Sequence, residues 1–160
     1  MSIVRFLHLL SLSLWVGGIA FLAFVLAPIA FHPGLLPSRH LAGAVVGQCL
    51  TALHWLGLTC GFVFLVTSMI ESRSATGFAS PFSARNLLIC AMIVLTLASM
   101  FAISTRMFQL RNDMVVIDNV PQDDPRRVEF NRLHVWSTRV ESTILVLGLA
   151  VIYLTARRIS

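Results

Sequence analysis

Charge is scarce in this chain. Asp, Glu, Lys and Arg make up only 12% of it, against roughly 25% in an ordinary soluble domain. Lysine is missing altogether, so all twelve basic residues are arginine; that gap is one of composition and carries no functional reading. Cysteine is sparse too. Cys49, Cys60 and Cys90 lie in apolar stretches with no C-x-x-C spacing. That excludes a disulfide framework or thiolate zinc site and leaves three small thiols expected inside the fold. Nor is there a Gly-rich phosphate loop, a Ser-His-Asp or Cys-His set, or a pair of catalytic carboxylates. Hydrolase and kinase chemistry therefore have no support, and a protein that is not an enzyme is the expectation.

What the chain has in excess is apolar surface. Hydrophobic residues form 57% of it and the mean hydropathy is +0.84. These values describe a single-domain integral membrane protein, multi-pass, expected in a bacterial-type inner (plasma) membrane with the lipid bilayer as its first partner. The net charge of +5 does not indicate nucleic acid: the arginines stand at the ends of apolar segments, where membrane proteins place them.

Four segments, 3–28, 41–70, 84–106 and 134–156, exceed or match the roughly 20 residues that cross a bilayer. The first is too long for a signal-peptide core of roughly 7–15 residues, so it reads as a retained helix. An even number of spans puts both termini on one side. The fold expected is all-α, an antiparallel four-helix transmembrane bundle. Its first connection, loop one, contains His32, Pro33, Gly34, Pro37 and His40, and both histidines read as solvated. Helices three and four extend past the bilayer on the loop-one face as a charged hairpin over 107–133. Apolar residues there recur at Met107, Leu110, Met114 and Ile117, an amphipathic pattern. Five of the seven acidic residues, Asp113, Asp118, Asp123, Asp124 and Glu129, fall in this hairpin beside Arg106, Arg111, Arg126, Arg127 and Arg132. The charges balance, as in a solvated, salt-bridged surface; a docking face for a membrane-protein partner is the alternative. Ser83 and Asp124-Pro125 read as helix starts.

One residue departs from this scheme. Glu141 lies inside the fourth apolar segment, and a carboxylate in hydrocarbon is costly and faces a bundle interior. At 100° per residue, His134, Thr138 and Glu141 form one polar stripe. Trp136 and Tyr153 mark interface belts about 26 Å apart, so Glu141 lies about 7 Å below the loop-one face. On the second segment Gly43, Gly47, Thr51, His54 and Gly61 share a broad face, and His54 falls about 5 Å deep, near the level of Glu141. On the first, His8, Ser11, Trp15 and Gly18 share a face, and Gly17-Gly18 reads as a close-packing pair.

Leu7-His8, Trp15-x-Gly17-Gly18, Pro28, Leu41-Ala42-Gly43-x-Val45-Val46-Gly47 and Asp124-Pro125-x-Arg127-x-x-Phe130-x-x-Leu133-His134-x-x-Ser137-x-x-x-Glu141 resemble the transmembrane protein 205-like family. These are small four-helix membrane proteins. The resemblance implies a fold and a membrane location but no reaction and no catalytic residues. The first helix alone is similar, in Leu-His and Trp-x-Gly-Gly, to copper-resistance D-type proteins and the bacterial membrane protoporphyrinogen oxidase.

Three roles for the polar groups follow. Glu141 can hydrogen-bond across the bundle and fix helix register. It can join His54 and His134 in a ligand, proton or metal site, where a divalent transition metal is suited by two imidazoles and a carboxylate. Or His54 and His134 can hold one haem b as a redox cofactor. A metal bridges His54 with one of the other two more readily than all three, since His134 is about 10 Å from Glu141 along the helix. A homo-oligomer or an accessory subunit of a larger membrane complex is the remaining class.

Overall fold

The computed structural model describes residues 2–78, 81–114 and 117–159. Among them there is no strand. Four helices are long and apolar enough to cross a membrane, Ile3–Ala30, Arg39–Ser74, Ala84–Met114 and Pro125–Arg157. The protein is a multi-pass membrane protein.

The first span comprises α1, Ser2–Phe21, a π-helical turn, Leu22–Leu26, and α2, Ala27–Ala30. The widened turn has a local cause. Pro28 has no N–H to give to the carbonyl of Phe24, and its ring crowds that carbonyl. The Ala27 N–H accordingly reaches back to Leu22, the five-residue step of a π-bulge. Loop one then leads to α3, Arg39–Thr76. Its start is fixed by the Ser38 hydroxyl, which accepts the Leu41 N–H at 3.1 Å. Its end is fixed by Gly77 at φ 79°, whose N–H returns to the Arg73 carbonyl; only glycine takes that left-handed turn at no steric cost. At 38 residues α3 is about 57 Å long and must overrun a hydrocarbon core of about 30 Å.

The third span is α4, Ala84–Ala98, then a π-helical stretch, Ser99–Ser104, then α5, Thr105–Met114. Ser83 caps it by accepting the Asn86 N–H. The helix expected to run on through Ile117 stops earlier, since Ile117–Asn119 is a separate 3-10 turn. The fourth span, α6, covers Pro125–Ile159. Asp124 caps it, its Oδ1 accepting the Arg126 N–H at 2.8 Å, and proline at the first helical position has no N–H to leave unsatisfied.

The helices close a ring: α1 packs on α3, α3 on α4, α4 on α6 and α6 back on α1. Leu12, Trp15, Val16 and Ile19 from α1 meet Leu53, Cys60 and Phe64 from α3, Ile89 and Met92 from α4, and Ile144 and Val151 from α6. Small residues admit the large ones. A Cβ on Gly57 would lie 2.3 Å from the Trp15 Nε1, and one on Gly61 would lie 2.9 Å from its Cζ3. Trp15 thus fills a slot in α3 that any side chain would close. Gly18 and Gly148 play the same part for Leu53 and Val16. Gly17 does not: a Cβ there meets nothing within 4 Å, so only Gly18 of the pair packs. The outer faces carry Phe6, Phe24, Phe62, Phe101 and Val146, apolar groups that suit lipid as solvent.

Where the third and fourth spans approach loop one, the hairpin they form is salt-bridged. Arg106 binds Glu129 in a two-bond fork at 2.8 and 2.9 Å, and Arg126 grips Asp124. The Arg126 guanidinium and backbone N–H together hold the Asp124 carboxyl at about 2, well below the usual range. The side chains of Asp118 and Arg158 lie outside the described residues.

Candidate functional site

The polar centre of the bundle is built by three spans. His54 on α3 is only 2% exposed, and its Nε2 lies 2.8 Å from Oε1 of Glu141 on α6. The same oxygen accepts the hydroxyl hydrogen of Ser99 at 3.1 Å. Ser99 is fully buried and opens the π-helical stretch of the third span. π-bulges recur where a helix must present a side chain to a site. His54 completes the shell of this oxygen through Nε2, donating an N–H to a carboxylate or accepting the proton of a carboxylic acid. Its Nδ1 is buried and has no hydrogen-bond partner. Glu141 itself keeps 15% of its side chain accessible. One partner is therefore sealed and the other is reachable.

Two of the three residues expected to converge do so, and the third does not. His134 is exposed on the outer face of α6, where it lines a shallow groove of ≈ 550 Å³ with Val135, Thr138, Arg139, Ser142 and Thr143. Thr138 turns outward as well, its hydroxyl donating to the His134 carbonyl at 3.0 Å. The inward position is taken by Ser137, which is buried. Among the described residues no group of three or more His, Cys, Asp and Glu side chains is placed to hold a metal ion.

His8 is buried on α1 with its Nδ1 3.0 Å from Thr67 Oγ1 and its ring tilted over Phe64 at 3.9 Å. Thr67 gives its own hydrogen to the Val63 carbonyl at 2.7 Å, so it accepts from His8. Thr67 lies about 20 Å along α3 from His54, and the two histidines belong to separate sites. Arg106 serves the hairpin. His32 is exposed as expected, but His40 sits half-buried in the first turn of α3. Cys60 is buried, Cys49 half-buried, and Cys90 points outward, so the three thiols do not share one environment. Sequence reasoning missed Ser99, which looks like any small polar residue in an apolar helix. It also missed Gly57, whose role depends on where Trp15 lands.

A family model described as a domain of unknown function, DUF4149, matches residues 10–115. The chain belongs to the DUF4149 family. No curated protein and no solved structure matches it. The DUF4149 stretch takes in most of the first span and all of the second and third, with Trp15, His54 and Ser99, and ends before α6 and Glu141. Family membership agrees with a small membrane domain of no assigned activity. It does not extend to the transmembrane protein 205-like or copper-resistance likenesses.

Proposed function

We propose that this protein works through a proton-binding centre inside the membrane, in which Glu141 and His54 share one proton near the loop-one face. The observation that carries the reading is the 2.8 Å contact between a sealed imidazole and a partly accessible carboxyl group on different spans. With one proton between them the pair is neutral as a unit, whether written as acid and imidazole or as carboxylate and imidazolium. A unit without net charge avoids most of the cost of an ion in hydrocarbon. Ser99 steadies the shared oxygen in either form. A purely structural hydrogen bond has no need of the accessible edge that Glu141 retains. The test is infrared difference spectroscopy on protein in nanodiscs as the buffer is made more acid. A carboxyl C=O band should appear, be lost in Glu141→Gln and shift in Ser99→Ala. If no band depends on Glu141, the reading fails.

A second reading draws on the unpartnered Nδ1 of His54. An imidazole nitrogen without a hydrogen-bond donor is also a ligand atom, and a haem b or a divalent transition metal is what such an atom holds. On this reading the helices must part to admit the group, because the Nδ1 is buried and His134 faces away. Visible spectra and elemental content of protein expressed with haem and metals available separate the two readings.

A further inference from the structure

We propose that Arg111 is the cation of a phosphate-binding site at the loop-one boundary, filled in the membrane by the phosphate of a lipid headgroup. One arginine of the hairpin is a charge without a counterpart among the described residues. Arg106 and Arg126 each hold a carboxylate in a fork. Arg111, one turn along α5 from Arg106, is half-buried and makes no hydrogen bond or ion pair among the described residues. Its Nε is buried and unpartnered. Its guanidinium is 5.5 Å from the ring centre of Phe130, a contact that positions the group and leaves its forked N–H donors open.

The opposite wall is built to admit that guanidinium. A Cβ on Gly43 would lie 3.0 Å from Nη2, and one on Gly47 would lie 3.4 Å from Nη1. Two successive turns of α3 are bare where the arginine rests. Phe31 from loop one closes the third side, its Cζ 3.9 Å from the same Gly43 position. Phe31 is also a wall of a cleft of ≈ 250 Å³ lined by His32, Ser38 and Arg39.

Depth chooses the ligand. On the reading that puts the bilayer boundary near Thr51, Gly47 lies about 6 Å and Gly43 about 12 Å outside the hydrocarbon. The headgroup layer is about 5–7 Å thick on each side, so the Gly47 level, where Nη1 rests, lies within it, at the depth of lipid phosphates, and Gly43 lies just outside. An arginine fork is matched in shape to a phosphate and binds it through two parallel hydrogen bonds. The site is separate from the His54–Glu141 pair, which lies inside the bilayer, and it stands or falls independently of the proposed proton binding.

The test uses the full-length protein in a maltoside detergent, which carries no phosphate, and reads thermal unfolding. Dioleoylphosphatidylglycerol should raise the melting temperature, and dioleoylglycerol, the same chains without phosphate, should not. In Arg111→Gln the lipid should be retained about tenfold or more weakly by native mass spectrometry, and its thermal shift should disappear. Gly43→Val keeps the charge but fills the notch, and it should also weaken retention, so a folding defect in one variant does not leave the matter open. Arg126→Gln should retain lipid as the wild type does. If inorganic phosphate reproduces the shift and Arg111→Gln removes it, the site binds phosphate but the assignment to lipid is overturned. An equal shift from dioleoylglycerol, or a lipid shift that survives both Arg111→Gln and Gly43→Val, overturns the phosphate site itself.

Discussion

Replacing Gly57 by alanine adds one methyl group at the tightest point of the bundle. The new carbon would stand 2.3, 2.7 and 2.9 Å from Nε1, Cε2 and Cδ1 of Trp15. Ordinary contacts between such atoms begin near 3.5 Å, so an edge of the indole must retreat by about 1 Å. It has nowhere to go along the groove. The Gly61 end is closed by Ile93, which would itself meet a Cβ there at 3.0 Å, and Trp15 is only 2% exposed. Either α1 moves off α3 or Trp15 leaves its rotamer, and overpacking of this kind costs about 1–3 kcal/mol. Alanine is also the better helix former by about 1 kcal/mol, which blurs a simple comparison with wild type. Gly17→Ala supplies the reference. It brings the same propensity gain at a position on the same helix bundle where the Cβ meets nothing within 4 Å. The difference between the two variants therefore isolates the clash. In thermal unfolding in one detergent, Gly57→Ala should melt below Gly17→Ala by the equivalent of about 1–3 kcal/mol. Trp15→Phe in the Gly57→Ala background should recover part of the gap. Equal melting of the two alanine variants would show that Trp15 does not occupy the slot.

Further outcomes follow from the same geometry. Reporter fusions at Asn119 and after the last residue should report opposite sides of the membrane; the same side for both would contradict four spans. The Asp124 carboxyl is held at about 2 by Arg126, below its ordinary value. Its stabilising contact is thus fully present above the usual carboxylate range and is lost as pH falls through that range toward about 2. The protection factors of the first α6 amides, taken against the intrinsic rate at each pH, should fall over that acid window in the wild type, and in Asp124→Asn they should already be low at neutral pH with no such step. Glu141→Leu strips the partner from His54 and should destabilise the bundle by about 1–3 kcal/mol. Glu141→Gln keeps an oxygen for His54 and Ser99, and it should melt closer to wild type.

Much of this architecture is legible in the sequence because the bilayer sets one strong rule, a length of apolar helix. Capping is equally direct at Ser83 and Asp124, which accept an N–H three and two residues on; the Ser38 cap, among the punctuating residues of loop one, is not singled out by its sequence. The cross-bundle pair could be inferred because depth is countable along a helix, and His54 and Glu141 count to similar depths from their own ends. The angular part of the stripe was less secure. His134 differs from Glu141 by only about 20° around the helix and Thr138 by about 60°, yet both fall on the outer side of a boundary that passes close to Glu141. Ser137, Ile144 and Gly148 mark the inward direction instead, and nothing in the α6 sequence alone states where that boundary lies. Gly17, Gly18 and Gly57 show the same limit. A glycine's worth depends on which bulky side chain meets it, and that is a property of two helices together. Ser99 reaches Glu141 from a π-helical stretch, whose extra residue per turn shifts the face that a regular helix count assigns.

The 2.8 Å contact between His54 and Glu141 is the centre of the bundle's polar chemistry. Nitrogen-15 magnetic resonance of the His54 ring, in lipid and across a pH series, measures that contact directly. If the two side chains share one proton, the Nε2 signal reports a hydrogen bond to Glu141, whichever atom carries the proton, at every pH at which the protein is folded. That signal changes in Glu141→Gln. A His54 spectrum that is the same in the wild type and in Glu141→Gln at every pH would contradict the pairing and, with it, the proton-binding centre.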